Sequence, residues 1–209
     1  MKKVSLSNID AFKISDNDTD EVFYGCCQDW FGTGWQRLSG CGPSVACNIF
    51  IYHARGASAG GRARNKHSCA AMMEEVWKYV TPTKRGIHTA EMLRERVLAY
   101  GAAKGMTISS AICEVPKERS LRPSSAEVTS FLEDALSKDI PVAFLNLCNG
   151  QEKNLDEWHW VTVAAIETGD PKGRVPLCIL DRGRMVKIDL ALWLDTTSHG
   201  GGFVHFSIT

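Results

Sequence analysis

The segment Gln36-Arg-Leu-Ser-Gly-Cys41-Gly-Pro-Ser44 leads straight into a predicted helix, and it puts a thiol where thiols become reactive. A sulfur at a helix N-terminus faces unpaired backbone N–H groups and the positive end of the helix dipole. Both favour thiolate, the nucleophilic form. Gly42 permits close backbone approach, and Pro43 suits a first helical turn, where its missing N–H costs nothing. The chain has eight cysteines, and those at 26, 27, 47, 69, 113, 148 and 178 lack this setting. They form no CxxC pair, so neither a zinc ribbon nor a thioredoxin-type motif is expected. They read as free thiols of a reducing compartment, where buried Cys acts as a small hydrophobe.

A nucleophilic cysteine needs a base, and the base needs a group that orients it. Of the six histidines, His159 stands apart because it opens the apolar run Trp160–Ile166, directly after the acidic turn Leu155-Asp-Glu-Trp158. A histidine at the mouth of a buried strand is held rigidly and still reaches solvent. Asp181 closes the next predicted strand, so neighbouring antiparallel strands are expected to set its carboxylate beside His159, where it fixes the tautomer and stabilises imidazolium. Acyl transfer also needs donors placed in advance for an oxyanion. Gln36, with the Cys41 backbone N–H, is the first candidate, and Gln28 is a weaker one. Trp30, Trp35, Trp158 and Trp160 flank these segments, and Trp35, Gly40, Trp158 and Trp160 are expected to line a substrate groove.

Gln-x4-Cys-Gly-Pro opening a helix, then a His-led apolar strand, then a strand ending in Asp, resembles the papain-like cysteine peptidases, and most of all their bacteriocin-leader (double-glycine) branch. The resemblance covers residues 36–55 and 140–190. It implies an α+β fold with a helical half, led by the nucleophile helix, packed on an antiparallel sheet. It also implies roles: Gln36 for the oxyanion, Cys41 as nucleophile, His159 as base and Asp181 as its orienter. The implied activity is hydrolysis of peptide bonds without metal or other cofactor, on a peptide or protein substrate. A catalytically idle binding module, or an acyl transferase or deamidase on the same triad, is the alternative.

The elements that must carry these residues are legible from periodicity. Val45, Ile49 and Tyr52 fit a helix that ends near Arg55, before a Gly-rich breaker at Gly56–Gly61. Further helices are predicted at Ser68–Val80, at about Thr89–Lys104, and from a Ser124/Glu127 capping box to near Lys138. The period then shortens. Pro141–Leu147, His159–Glu167, Val175–Leu180, Met185–Ile188 and Gly202–Ile208 read as strands, joined by turns that suggest a meander. One domain over 1–209 is expected, with 1–40 an irregular lead-in and 56–139 a helical insertion.

Composition limits the partners. The chain carries 24 Lys+Arg against 24 Asp+Glu, so it has no electrostatic footprint for nucleic acid or an anionic membrane. No apolar stretch approaches the ~18 residues of a membrane span, and polar residues follow Lys2 and Lys3 where a signal peptide needs an apolar core. A cytoplasmic protein is expected. Two other motifs fail on context. Gly56-Ala-Ser58-Ala-Gly60 matches a serine-hydrolase elbow, and His199-Gly-Gly-Gly202 matches an esterase oxyanion motif. The serine follows a helix rather than a strand, and the glycine run lies downstream instead of upstream. Asp16–Asp20 begins like a calcium loop, but Glu21 stands where that loop requires glycine.

Overall fold

The computed structural model describes residues 1–54 and 64–209; the Gly56–Gly60 serine motif therefore lies outside the described residues. In chain order the elements are β1 (Lys2–Ser5), β2 (Lys13–Ser15), β3 (Val22–Tyr24), α1 (Gly34–Ser39), α2 (Cys41–His53), β4 (Arg64–Asn65), α3 (Lys66–Trp77) and α4 (Ala90–Ala103). They continue with β5 (Ile108–Val115), α5 (Ser125–Ser137), β6 (Val142–Asn146), β7 (His159–Thr168), β8 (Pro176–Asp181), β9 (Arg184–Asp189), α6 (Leu190–Thr196) and β10 (Gly201–Ile208).

The helices begin where side chains satisfy the first free N–H groups. Asn65 accepts from the Ser68 amide at α3, Thr89 from Met92 at α4, and Ser124 forms a full capping box with Glu127 at α5. Each such cap is worth about 1 kcal/mol. Helix α2 follows another logic. Every residue from Gly42 to Tyr52 is buried, so it is a central helix enclosed on all sides, not the one-sided helix that Val45, Ile49 and Tyr52 suggest.

The main sheet runs β5-β10-β6-β7-β8-β9, with β1 paired to the far half of β7. All its pairings are antiparallel, and β6 to β9 form the expected meander. Side chains alternate between two layers. Ala143, Leu145, Trp160, Val204 and Phe206 pack with α2, α3 and α4, whereas Val142, Phe144, Val161, Val163 and Phe203 pack with α5 and α6. Helices on both faces explain why β6 is buried from end to end.

Two regional expectations change. Residues 1–40 are not an irregular lead-in, because β1 extends the main sheet, β2 pairs with both β3 and β4 in a small second sheet, and α1 abuts the central helix. Nor is the stretch to residue 139 wholly helical, since β5 pairs along its whole length with β10. No helix among the described residues is long and apolar enough to cross a membrane.

Candidate active site

Cys41 is the first residue of α2 and is partly exposed. The preceding residue, Gly40, offers no side-chain cap, so the first-turn N–H groups are left open to a negative charge. A side chain at Gly40 is impossible without movement: a Cβ there would lie 2.5 Å from the Gln36 carbonyl and 2.6 Å from the Phe31 ring. This close approach lets α1 run directly into α2 and points the thiol outward from the start of a buried helix. The helix is fixed below by Asn48, whose Oδ1 accepts from the Cys26 amide at 2.7 Å and whose Nδ2 donates to Thr162 Oγ1 at 3.0 Å. Thr162 belongs to β7, the strand that His159 opens.

β7 and β8 pair Thr162 with Leu180 and Val163 with Ile179. Continuing that register sets Asp181 opposite Val161, a diagonal neighbour of His159. The β8–β9 turn holds it there, with Arg182 and Gly183 both at positive φ (45° and 76°), the backbone of a tight two-residue hairpin. His159 Nε2 lies 2.7 Å from Asp181 Oδ1, and the Cys41 thiol borders the same recess as the ring. Burial works against a charged ring, but the hydrogen bonds and charges of Asp181 and Cys41 outweigh it and push the His159 pKa up to about 9. At neutral pH the ring is therefore an imidazolium between a carboxylate and a thiol. A charged ring there keeps a proton ready for a leaving group.

The remaining expected site residues divide. Trp35 and Trp158 are about half exposed (46% and 51%) and wall a cleft of about 360 Å³ at Cys41, floored by Ile87, Leu145 and Leu147. Trp160 and Gly40 are buried beneath it; the Trp160 Nε1 donates to the Ile87 carbonyl at 2.7 Å and so secures one bank of the cleft. Trp158 adopts φ 53°, a left-handed conformation that is rare for a bulky residue. Its loop is anchored by Asn146, which donates to the Asp156 carbonyl at 2.6 Å, and by the Asp156–Arg182 ion pair at 2.8 Å.

Gln36 is not brought to the thiol. Its Oε1 accepts from the Thr33 amide and hydroxyl, closing a capping box at α1, and its Nε2 donates to Glu74 Oε2 at 2.6 Å. The Thr33-x-x-Gln36 spacing is itself the signature of this structural role. Gln28, in the short turn Gln28–Trp30, borders the same recesses as Cys41 and His159, and its Nε2 donates to the Arg37 carbonyl at 2.7 Å.

Sequence reasoning did not single out Cys148. Its sulfur accepts from Ser198 Oγ at 3.1 Å, and this hydroxyl, with the backbone N–H groups of Ser198 and Gly150, lowers the thiol to about 7. Burial raises Cys27 and Cys113 to about 11, and Cys26 is raised by its bond to Cys47 and by burial. Under a limiting electrophile at pH 6, mapped by mass spectrometry, Cys41 is expected to label first and Cys148 second. Labelling led by Cys26 or Cys27 contradicts the site.

No known family model and no curated protein matches the sequence. Among solved structures, UfSP from C. elegans is similar in fold, with a TM-score of 0.51 at 10% identity, over all of this chain and 34% of that one. The chain thus spans about a third of the length of the solved chain it matches. This likeness shows a papain-like fold of mixed helix and antiparallel sheet.

Proposed function

We propose that the protein is a cysteine peptidase that cleaves peptide bonds through Cys41, His159 and Asp181. The observation that carries this reading is a single one: His159, hydrogen-bonded to Asp181 at 2.7 Å, shares a recess with a thiol at the uncapped start of α2. The likeness to UfSP, a papain-like cysteine protease, supports it at the level of fold. The chain order Cys41, His159, Asp181 supports the bacteriocin-leader branch as the finer reading within that fold.

In this mechanism the Cys41 thiolate attacks the scissile carbonyl carbon, and the carbonyl oxygen takes the negative charge. The first-turn N–H groups of α2 and the free N–H of Gln28 hold that oxyanion. His159 Nδ1 gives its proton to the leaving nitrogen, the C–N bond breaks, and an acyl-thioester remains. Water, deprotonated by the now neutral His159, attacks the thioester and expels thiolate, restoring the ion pair. Asp181 keeps Nε2–H occupied throughout and fixes the ring orientation.

The experiment is hydrolysis of a broad internally quenched peptide library, with mass detection of the acyl-enzyme on Cys41. The two glutamines give it resolution. Gln28→Ala is expected to lower kcat by about 10²–10³ with little change in KM, because an oxyanion donor acts on charge that develops during reaction. Gln36→Ala should instead cost about 1 kcal/mol of stability through the α1 cap and leave kcat within a few-fold. If the glutamines exchange these effects, the donor assignment is reversed; a library left uncut by the wild type defeats the peptidase reading.

A further inference from the structure

Cys41 lies where two recesses meet, and their charges differ: the first carries both signs, the second only cations. The first contains His159, with Asp29, Asp156 and Glu157 on its walls. Its two guanidiniums are already engaged: Arg182 pairs with Asp156, and Arg37 Nη1 donates to the Phe31 and Gly32 carbonyls. The second recess, the Trp35–Trp158 cleft, does not include His159 and is lined by no carboxylate. Its rim carries Lys84 and Arg85, both exposed and without an ion-pair partner among the described residues. The backbone presents these two cations firmly. Thr83 and Gly86 close a tight turn around them with reciprocal backbone hydrogen bonds of 3.3 and 2.9 Å, and the next residue, Ile87, is tied to Trp160.

On the peptidase reading, on which this inference rests, the proton goes from His159 to the leaving nitrogen. The amine half of the substrate must therefore depart over His159, through the mixed-charge recess. The acyl half occupies the other one. We infer that the acyl half is an apolar peptide segment bearing an Asp or Glu side chain a few residues before the scissile bond, held by Lys84 and Arg85. The apolar residues meet Ile87, Leu147, Trp35 and Leu38, and the carboxylate meets two cations that no acidic side chain among the described residues pairs with. The same charges disfavour lysine or arginine at that position, so selection works by repulsion as well as attraction.

The test uses one internally quenched peptide with Glu, Gln or Lys placed in turn at the second to fourth residues before the cleaved bond. For the wild-type protein kcat/KM should fall from Glu to Gln to Lys, by about three- to tenfold at each step at the best position, and the spread should shrink in high salt. The double charge reversal Lys84→Glu with Arg85→Glu should invert the order. Binding of the same peptides to Cys41→Ala, read by fluorescence anisotropy, gives a measure independent of turnover. Equal cleavage of all three peptides overturns the inference and leaves the peptidase reading in place. No cleavage, with Glu still bound most tightly by Cys41→Ala, removes the peptidase reading and retains the acidic-peptide groove. Binding without preference overturns the groove assignment.

Discussion

Cys41→Ser is expected to lower turnover of a cleavable peptide by three or more orders of magnitude while leaving thermal stability almost unchanged. The two side chains differ by one atom at the exposed start of α2, so packing around Gly40 and Phe31 is not disturbed. Chemistry is disturbed fully. A hydroxyl loses its proton far less readily than a thiol, and an imidazolium that stabilises thiolate cannot hold alkoxide. Members of a cooperating nucleophile–base pair fail together, so losing one removes nearly the whole contribution of the set. The measurement is kcat on one peptide, with Tm recorded beside it. A serine variant that keeps a tenth of the activity means that another group attacks the carbonyl.

His159→Ala should be as damaging, and it carries a pH signature. With a pKa of about 9, the imidazolium is present through neutrality and disappears above it, so wild-type kcat/KM should decline as pH rises through about 9. The variant should lose both the activity and that limb, and its Cys41 should alkylate more slowly at pH 6. Stability follows the same sign. The folded ring binds its proton more tightly than the unfolded ring, whose pKa is near 6.5, so its contribution is fully present below pH 6.5 and is lost as pH climbs past 9. The Tm gap between wild type and His159→Ala should therefore narrow from pH 6 to pH 10. A constant gap argues against a charged His159.

Cys41, His159 and Asp181 were legible in the sequence because each sits at the end of a strongly patterned element: an N-terminal helix boundary and two ends of a meander. The approach of Asp181 to His159 then follows from the β7–β8 register, whereas that of Cys41 depends on how α2 is seated against β7. Gln36 misleads because it belongs to two spacings at once. Its spacing from Cys41 suggests an oxyanion donor, whereas its spacing from Thr33 encodes a helix cap, and the cap determines where the side chain goes. Gln28 has no local pattern, and its place beside the thiol arises from the fold of the Cys26–Trp30 segment against α2. Strands β1 and β5 were hidden for a related reason. Half-exposed sequences such as Ile108–Val115 become strands only through partners far along the chain, here residues 201–208. The Gly-Gly of His199–Gly202 likewise belongs to strand pairing: a Cβ at Gly201 would come within 1.9 Å of the Leu145 carbonyl oxygen.

The position of β10 bears on how the chain reaches its active form. It is the last strand to be synthesised, yet it lies inside the sheet, between β5 and β6. Until it is in place, both neighbours expose open hydrogen-bonding edges, and the sheet against which α2 packs is split. The Asn48–Thr162 bond that seats the nucleophile helix likewise joins residues 114 apart in sequence. Contacts of such separation form late and make folding slow, since loop closure must be met before packing rewards it. A nascent chain therefore carries Cys41 long before it carries a working site. On the peptidase reading, activity therefore matures only with completion of the fold, and unfinished chains, with their open strand edges, are good candidates for aggregation.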